Sequence, residues 1–201
     1  MAQEFFNRHG EFDYHGADLP HWQQATVLQF VTFRLGDALP ESKRKIWKTE
    51  RDAWLVQHPE PWAPEIRAAY HRLFSMRFEQ WLDAGYGSCL LGEPCHRKVL
   101  IDILERDDPA RAIFLSCVIM PNHVHVLFQP KFPLAGLLKT WKGVSARRIG
   151  RGSIWQRNYW DTMVRDGDHL ERVVRYIRRN PIHLEANRYT LWESARAKAI
   201  L

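Results

Sequence analysis

At 201 residues, with 45% hydrophobic and 26% charged side chains, the chain can bury a core of its own, which excludes a disordered tail. No apolar run approaches the length of a membrane span, residues 1–16 hold no signal-type apolar stretch, and three cysteines close no disulfide framework, so a cytoplasmic protein is expected. The net charge of +6 is unevenly placed: residues 1–130 carry 14 basic and 17 acidic side chains, residues 131–201 carry 15 and 6, and the basic last third predicts a polyanionic partner, nucleic acid foremost, unless it is only a solvated face.

In chain order, Leu19-Pro20-His21 opens a β-like stretch whose core is Ala25–Leu35, rich in β-branched and aromatic residues. Both of its faces are largely apolar, which predicts a central, buried strand. Gly36 and Pro40 end it. Residues 41–84 read as helix in two pieces divided at His58-Pro59-Glu60-Pro61, the second starting near Pro64 with Ile66, Tyr70, Leu73, Phe74, Phe78 and Trp81 at helical spacing. A loop at 85–88 precedes a helix over 93–107. Ala112–Met120 is a second buried strand, Pro121-Asn122 a turn, and His123–Gln129 a strictly alternating third strand. Pro133 starts a helix to about Gly150, with Leu134, Leu137, Leu138 and Trp141 inward. Ser153–Arg165 reads as a strand with a loop, and a final helix ends at Asn180 before Pro181. For that helix the spacing predicts Asp168 as N-cap, with Glu171 completing a capping box. The order predicts a single α+β domain over 1–201: a sandwich with a helix layer on a mostly antiparallel sheet, a helical insertion at 41–84 and a tail at 183–201 that is either a helix over the site or a mobile segment.

The chemistry-bearing pattern begins on the third strand. A period of two puts His123, His125 and Leu127 on one face and Val124, Val126 and Phe128 on the other. Two histidines whose Cα atoms lie about 6.6 Å apart along one strand can bring both imidazoles to a single metal ion, or form a plain structural pair. On the last helix Leu170, Val173, Val174 and Ile177 form the inward stripe, which places Tyr176 and Asn180 together on one flank, with His169. Arg172, Arg175 and Arg179 point largely away. By itself Tyr176 also fits a boundary aromatic, and Asn180 a pre-proline helix stop.

Three motifs in this order carry a family resemblance. Met120-Pro121-Asn122-His123-Val124-His125-Val126-Leu127-Phe128 is followed by Trp155-Gln156-Arg157 with Tyr159-Trp160-Asp161, then by Tyr176-Ile177-x-x-Asn180-Pro181. Together with Phe30-Val31-Thr32-Phe33-Arg34-Leu35, they make the chain from about His21 to Pro181 resemble the REP-associated tyrosine transposases, relatives of the single-tyrosine HUH transposases. The resemblance implies a ferredoxin-like HUH endonuclease sandwich. It implies His123, His125 and Asn180 as ligands of a divalent metal, Mg²⁺ or Mn²⁺, and Tyr176 as the nucleophile that forms a 5′-phosphotyrosine and frees a 3′-hydroxyl. Related insertion-sequence enzymes carry Gln where this chain has Asn180. The metal and nearby arginines are expected to favour the phenolate of a group whose ordinary pKa is near 10. The implied partner is single-stranded DNA with hairpin structure, and the implied state a monomer, with a dimer and a tyrosine reaching into a partner subunit as the alternative arrangement.

Lys139, Lys142, Arg147, Arg148 and Arg151 cluster on and after the penultimate helix, and Arg157 and Arg165 flank the fourth strand; all are expected to meet phosphates. Trp155, Tyr159 and Trp160 are candidates for base stacking or for sheet core. Cys89 and Cys95-His96 lack a further ligand at zinc spacing. Asp161 and Asp166 read as outer groups of the site or as loop and cap residues. No chemistry is visible in 41–84. The leading expectation is a metal-dependent single-stranded DNA endonuclease and strand transferase. The alternatives are a catalytically inactive hairpin DNA-binding protein and a small metallohydrolase that leaves no adduct.

Overall fold

The computed structural model describes residues 4–15 and 21–200, so Leu19 and Pro20, at the expected opening of the first β-like stretch, lie outside the described residues. A short hairpin, β1 (Asp13–His15) and β2 (His21–Gln23), precedes the first sheet strand, β3 (Gln29–Arg34). The insertion follows as α1 (Glu41–Gln57), α2 (Pro64–Tyr70), one π-helical turn over His71–Ser75, and α3 (Met76–Asp83). Next come α4 (Pro94–Asp107), β4 (Ala112–Ile119), β5 (His123–Pro130) and α5 (Leu134–Ile149). The chain closes with β6 (Trp160–Met163), α6 (Gly167–Arg179), β7 (Thr190–Glu193) and α7 (Ala195–Lys198).

The five-stranded sheet has the order β6-β3-β5-β4-β7, and every pairing in it is antiparallel. β3, β5 and β4, the strands with apolar residues on both faces, form its interior, because only a strand covered on both sides can hide both of its faces. Alternation then divides the core in two. Val31, Phe33, Val124, Val126 and Phe128 pack with Leu100, Ile103, Leu137 and Trp141 of α4 and α5. Leu28, Phe30, Val118 and Leu127 pack with Leu170, Val173, Val174 and Ile177 of α6 and Ala197 of α7. The sheet is therefore covered on both faces, by α4 and α5 on one and α6 with α7 on the other. A bulge between Phe114 and Ser116 keeps this division on β4: Phe114 and Cys117 face the first cluster, Leu115 and Val118 the second.

Three expectations need correction, and the bounds of a fourth are narrowed. The strand predicted from Ala25 starts at Gln29, because the Val27 amide bonds back to the Gln24 carbonyl at 3.0 Å and closes a turn over Ala25-Thr26. Of Ser153–Arg165 only Trp160–Met163 is strand, with one isolated bridge from Trp155 to Leu35. The N-cap of α6 is Asp166 rather than Asp168: its carboxylate accepts the His169 amide at 2.7 Å, Gly167 opens the helix, and Glu171 pairs with Arg175. The tail is neither a helix over the site nor loose. β7 adds the outer strand beside β4, and Arg178 ties α6 to Glu193 at 2.9 Å and to the carbonyls of Ala197 and Ile200.

The insertion ends against the β4–β5 turn. Asn122 Nδ2 donates to the carbonyls of Leu82 (3.0 Å) and Tyr86 (3.2 Å), so this amide ties the end of α3 and its following loop to the turn. Gly87, at φ +87°, brings the loop against Asp37; a Cβ there would sit 2.4 Å from the Asp37 carbonyl oxygen. Asp37 in turn accepts the Ser88 amide at 2.7 Å.

Candidate active site and nucleic-acid face

β5 places His123 and His125 on the α6 face of the sheet, both almost fully buried, with ring centroids 4.6 Å apart. Asn122 spends both amide hydrogens on carbonyls, so its Oδ1 accepts from His123 Nδ1 at 2.7 Å. That leaves Nε2 of the neutral His123 ring as a bare lone pair. Burial drives the His123 pKa down to about 3, with the Asn180 amide opposing and Arg34 adding to the shift. Burial, and then His123, likewise hold His125 well below the ordinary range. Both rings are therefore neutral at physiological pH, the form in which imidazole binds a metal.

The neighbouring strand and helix complete the group. Thr32 on β3 lies opposite His125 and bonds its Nδ1 at 2.7 Å. The Tyr176 hydroxyl on α6 lies 3.3 Å from His125 Nε2, within hydrogen-bond reach of it. Phe30 backs the group, within 6 Å of the rings of His125, Trp160 and Tyr176. Asn180, one helical turn after the tyrosine, has a buried Oδ1 with no hydrogen-bond partner, and the same holds for His123 Nε2. Two unsatisfied acceptors buried side by side are costly unless a cation joins them. The pair of neutral imidazoles and the amide oxygen thus fit a divalent ion. Among the described residues, no three His, Cys, Asp or Glu side chains form a ready-made cage for one. His123, His125, Tyr176 and Asn180 all come together within one chain.

The charges beside the tyrosine are not those expected. Burial, then Glu79 and Asp83, raise the Tyr176 pKa above its ordinary value, while Asn180 opposes the shift. The charged groups that act on the phenol are two carboxylates of α3, Glu79 and Asp83. Arg34, opposite His123 in the β3–β5 register, is the cation that acts on His123. Glu79 is raised to about 7 by burial and then by Asp83, and Asp83 to about 6 by burial, with His183 opposing. The residues 41–84, which show no chemistry in sequence, therefore add an acidic shoulder to the site. Nothing local could reveal this, since Glu79 and Asp83 sit among ordinary helix-surface charges. Asn122 and Thr32 were partly visible, lying in the MPNH turn and opposite the histidine strand.

A pH prediction follows from Glu79. Its folded pKa, about 7, lies above the ordinary 4.5, so between these values the folded protein holds a proton that the unfolded chain has lost. Stability therefore falls as pH rises through this window. In the presence of a chelator, Glu79→Gln is expected to raise stability by about 1–2 kcal/mol at pH 8 and to leave it unchanged at pH 4. Urea unfolding at the two pH values checks this; an equal difference at both would show that Glu79 carries no such penalty.

The basic residues sort by exposure. Lys139, Arg147, Arg148, Arg151, Arg157 and Arg165 are exposed, though Arg148 also pairs with Asp102 at 3.0 Å. Two expectations are corrected here. Trp155 is buried against Phe33, with its indole N–H on Ser145 Oγ at 2.9 Å, so it is core and not a stacking surface. Lys142 is buried too, its ammonium donating to the carbonyls of Gln156, Arg157 and Asn158, and burial lowers its pKa to about 8. It holds the 156–158 loop in place of a phosphate. Tyr159 is half-buried and stacks on His21 at 3.9 Å, and His21 pairs with Asp161. Trp160, 50% exposed beside Phe30, is the one of the three aromatics displayed next to the histidines and Tyr176. His169 accepts the Arg165 amide at 3.2 Å and so belongs to the start of α6 and not to the tyrosine.

Residues 96–180 match the family of IS200-like transposases, a segment that includes both histidines, Tyr176 and Asn180 and leaves α1, α2 and α3 outside it. Among solved structures, a REP-associated tyrosine transposase bound to a REP hairpin is similar at 14% identity, over 84% of this chain and 74% of that chain, with a TM-score of 0.46. No curated protein sequence matches the chain.

Proposed function

We propose that the protein is a DNA-cleaving transposase of the single-tyrosine type, acting on single-stranded DNA with hairpin structure through Tyr176. The observation that carries this reading is the Tyr176 hydroxyl 3.3 Å from His125 Nε2, beside two buried, unsatisfied acceptors, in a segment with the IS200-like pattern. His123, His125 and Asn180 would hold a divalent ion, with Mg²⁺ favoured by oxygen-rich phosphoryl chemistry and Mn²⁺ by the two imidazoles. When bound, that ion supplies Lewis-acid neutralisation of charge on the scissile phosphate.

The chain's own groups then do the following. Asn122 and Thr32 fix the ring orientations by a hydrogen bond at each Nδ1. The neutral, desolvated phenol of Tyr176 is kept from premature ionisation by burial and by the α3 carboxylates. Attack of its oxygen on phosphorus forms the phosphotyrosine bond and breaks the phosphorus–O3′ bond. Overall, the phenol proton passes to the leaving 3′-oxygen. A covalent link conserves the bond for strand transfer, which hydrolysis would not. Because all four side chains come from one chain, a monomer suffices for this chemistry.

Incubation of the protein with a 3′-end-labelled hairpin oligonucleotide and Mg²⁺ or Mn²⁺ tests the reading. The expected result is a labelled adduct that survives SDS and disappears on protease digestion. Cleavage without an adduct would point to hydrolysis, and binding without cleavage to an inactive hairpin binder.

The exposed basic face predicts a steep salt dependence. Arg147→Ala and Arg151→Ala are each expected to lower the slope of log affinity against log salt by about 0.7–0.9, with no loss of sequence preference, in fluorescence anisotropy titrations. Trp160→Ala is expected to weaken binding of the unpaired flank by about 1–3 kcal/mol and to leave duplex binding unchanged.

A further inference from the structure

One side chain bridges the end of α3 and the first histidine. Asn122 donates to the Leu82 carbonyl while its Oδ1 accepts from His123 Nδ1, so the residue after Leu82 is brought to the opposite side of the same ring. That residue is Asp83. Its Oδ1 lies 3.9 Å from His123 Nε2, and Nε2 is the buried lone pair with no partner. The separation is too long for a hydrogen bond and the ring is neutral, so the contact satisfies neither group. It lies between the two spacings that ligands of one ion adopt, so a small turn of the carboxylate brings it to either. Donor atoms each about 2.1 Å from a six-coordinate centre lie about 3.0 Å apart when adjacent and about 4.2 Å apart when opposite.

We propose that Asp83, supplied by the helical insertion, is a ligand of the divalent ion held by His123, His125 and Asn180. The inference rests on the reading that this pair of histidines holds such an ion. It assigns the insertion a chemical role: a set of two imidazoles and an amide is uncharged, whereas a carboxylate supplies a negative oxygen donor. Hard oxygen donors favour Mg²⁺ and Mn²⁺. The half-exposed position of the Asp83 side chain leaves it free to turn toward the ring.

Titration of the full chain with Mn²⁺, followed by calorimetry and by the electron paramagnetic resonance of free Mn²⁺, tests the assignment without DNA. Asp83→Asn is expected to weaken Mn²⁺ at least about tenfold, the low end of the loss produced even by removing an outer partner of a ligand. Glu41→Gln, an exposed carboxylate at the start of the same insertion, is expected to leave it unchanged. Asp83→Cys loaded with Co²⁺ is expected to gain thiolate-to-cobalt charge-transfer absorption, which arises only if residue 83 binds the ion directly. Wild-type affinity in Asp83→Asn together with no charge-transfer band in Asp83→Cys would overturn the assignment, while loss of binding in a folded His125→Ala would leave the histidine site standing. Unchanged Mn²⁺ affinity in His125→Ala overturns both.

Discussion

Tyr176→Phe is expected to abolish covalent adduct formation and to slow strand cleavage by at least about ten-thousand-fold, while hairpin binding persists. The substitution removes one oxygen and no ring packing. Phe at 176 keeps the T-shaped contacts with Phe30 and His125, whose centroids lie 5.8 and 5.1 Å from the tyrosine ring. The basic residues expected to meet phosphate lie elsewhere, on and after α5, on the 151–157 loop and at Arg165. The loss should therefore appear in the chemical step alone. Denaturing gels of labelled hairpin, run beside anisotropy titrations of the same variant, separate the two. Cleavage persisting at the wild-type rate would remove the tyrosine from the mechanism. A fall in cleavage matched by an equal fall in binding would mean that the phenol acts as a contact and not as a nucleophile.

Arg97→Ala is expected to destabilise the protein by about 3–5 kcal/mol, equivalent to roughly 6–20 °C in Tm for a chain of this size. Arg97 is buried on α4, 4% exposed, and its guanidinium makes four hydrogen bonds to three separate segments. Nη1 donates to the carbonyls of Leu91 and Gly92, Nη2 to that of Asn187, and Nε to Thr190 Oγ1 at the start of β7. Truncation leaves all four acceptors without their donor. It also loosens the tail that forms the outer strand of the sheet, which the β4 ladder and Arg178 still hold. Hydrogen exchange should therefore rise first over 184–193. Arg97→Lys is not expected to rescue, because a single ammonium on a flexible stem cannot reproduce the planar fork that reaches both sides. Recovery of wild-type stability by lysine would mean that charge, and not the directed bonds, sets this position.

Much of this architecture is written locally. The alternation of His123–Gln129 determines that both imidazoles share a face, and the stripe Leu170, Val173, Val174, Ile177 determines that Tyr176 and Asn180 flank the buried side of the last helix. Faces are properties of periodicity, and periodicity is a property of sequence. Which face meets which element is not. The turn at Ala25-Thr26, the cap at Asp166 and the bulge in β4 depend on hydrogen bonds that several local patterns would have allowed equally well. The fates of Trp155 and Lys142 show the same limit: each reads as a nucleic-acid contact by type and position, and each is taken into the interior because the 153–158 segment folds back onto α5.

The charge split makes the distinction sharpest. Sequence alone determined that the basic excess lies in 131–201, together with the tyrosine, and that the paired histidines lie in the near-neutral part. Only the tertiary structure decided that two carboxylates of the near-neutral part, Glu79 and Asp83, would stand beside that tyrosine. They arrive there through the bonds of Asn122 to Leu82 and Tyr86, contacts that span 36 to 40 residues of chain. A composition count weighs every charge equally, whereas the field at a buried phenol is set by the few groups within reach of it in a medium of low dielectric.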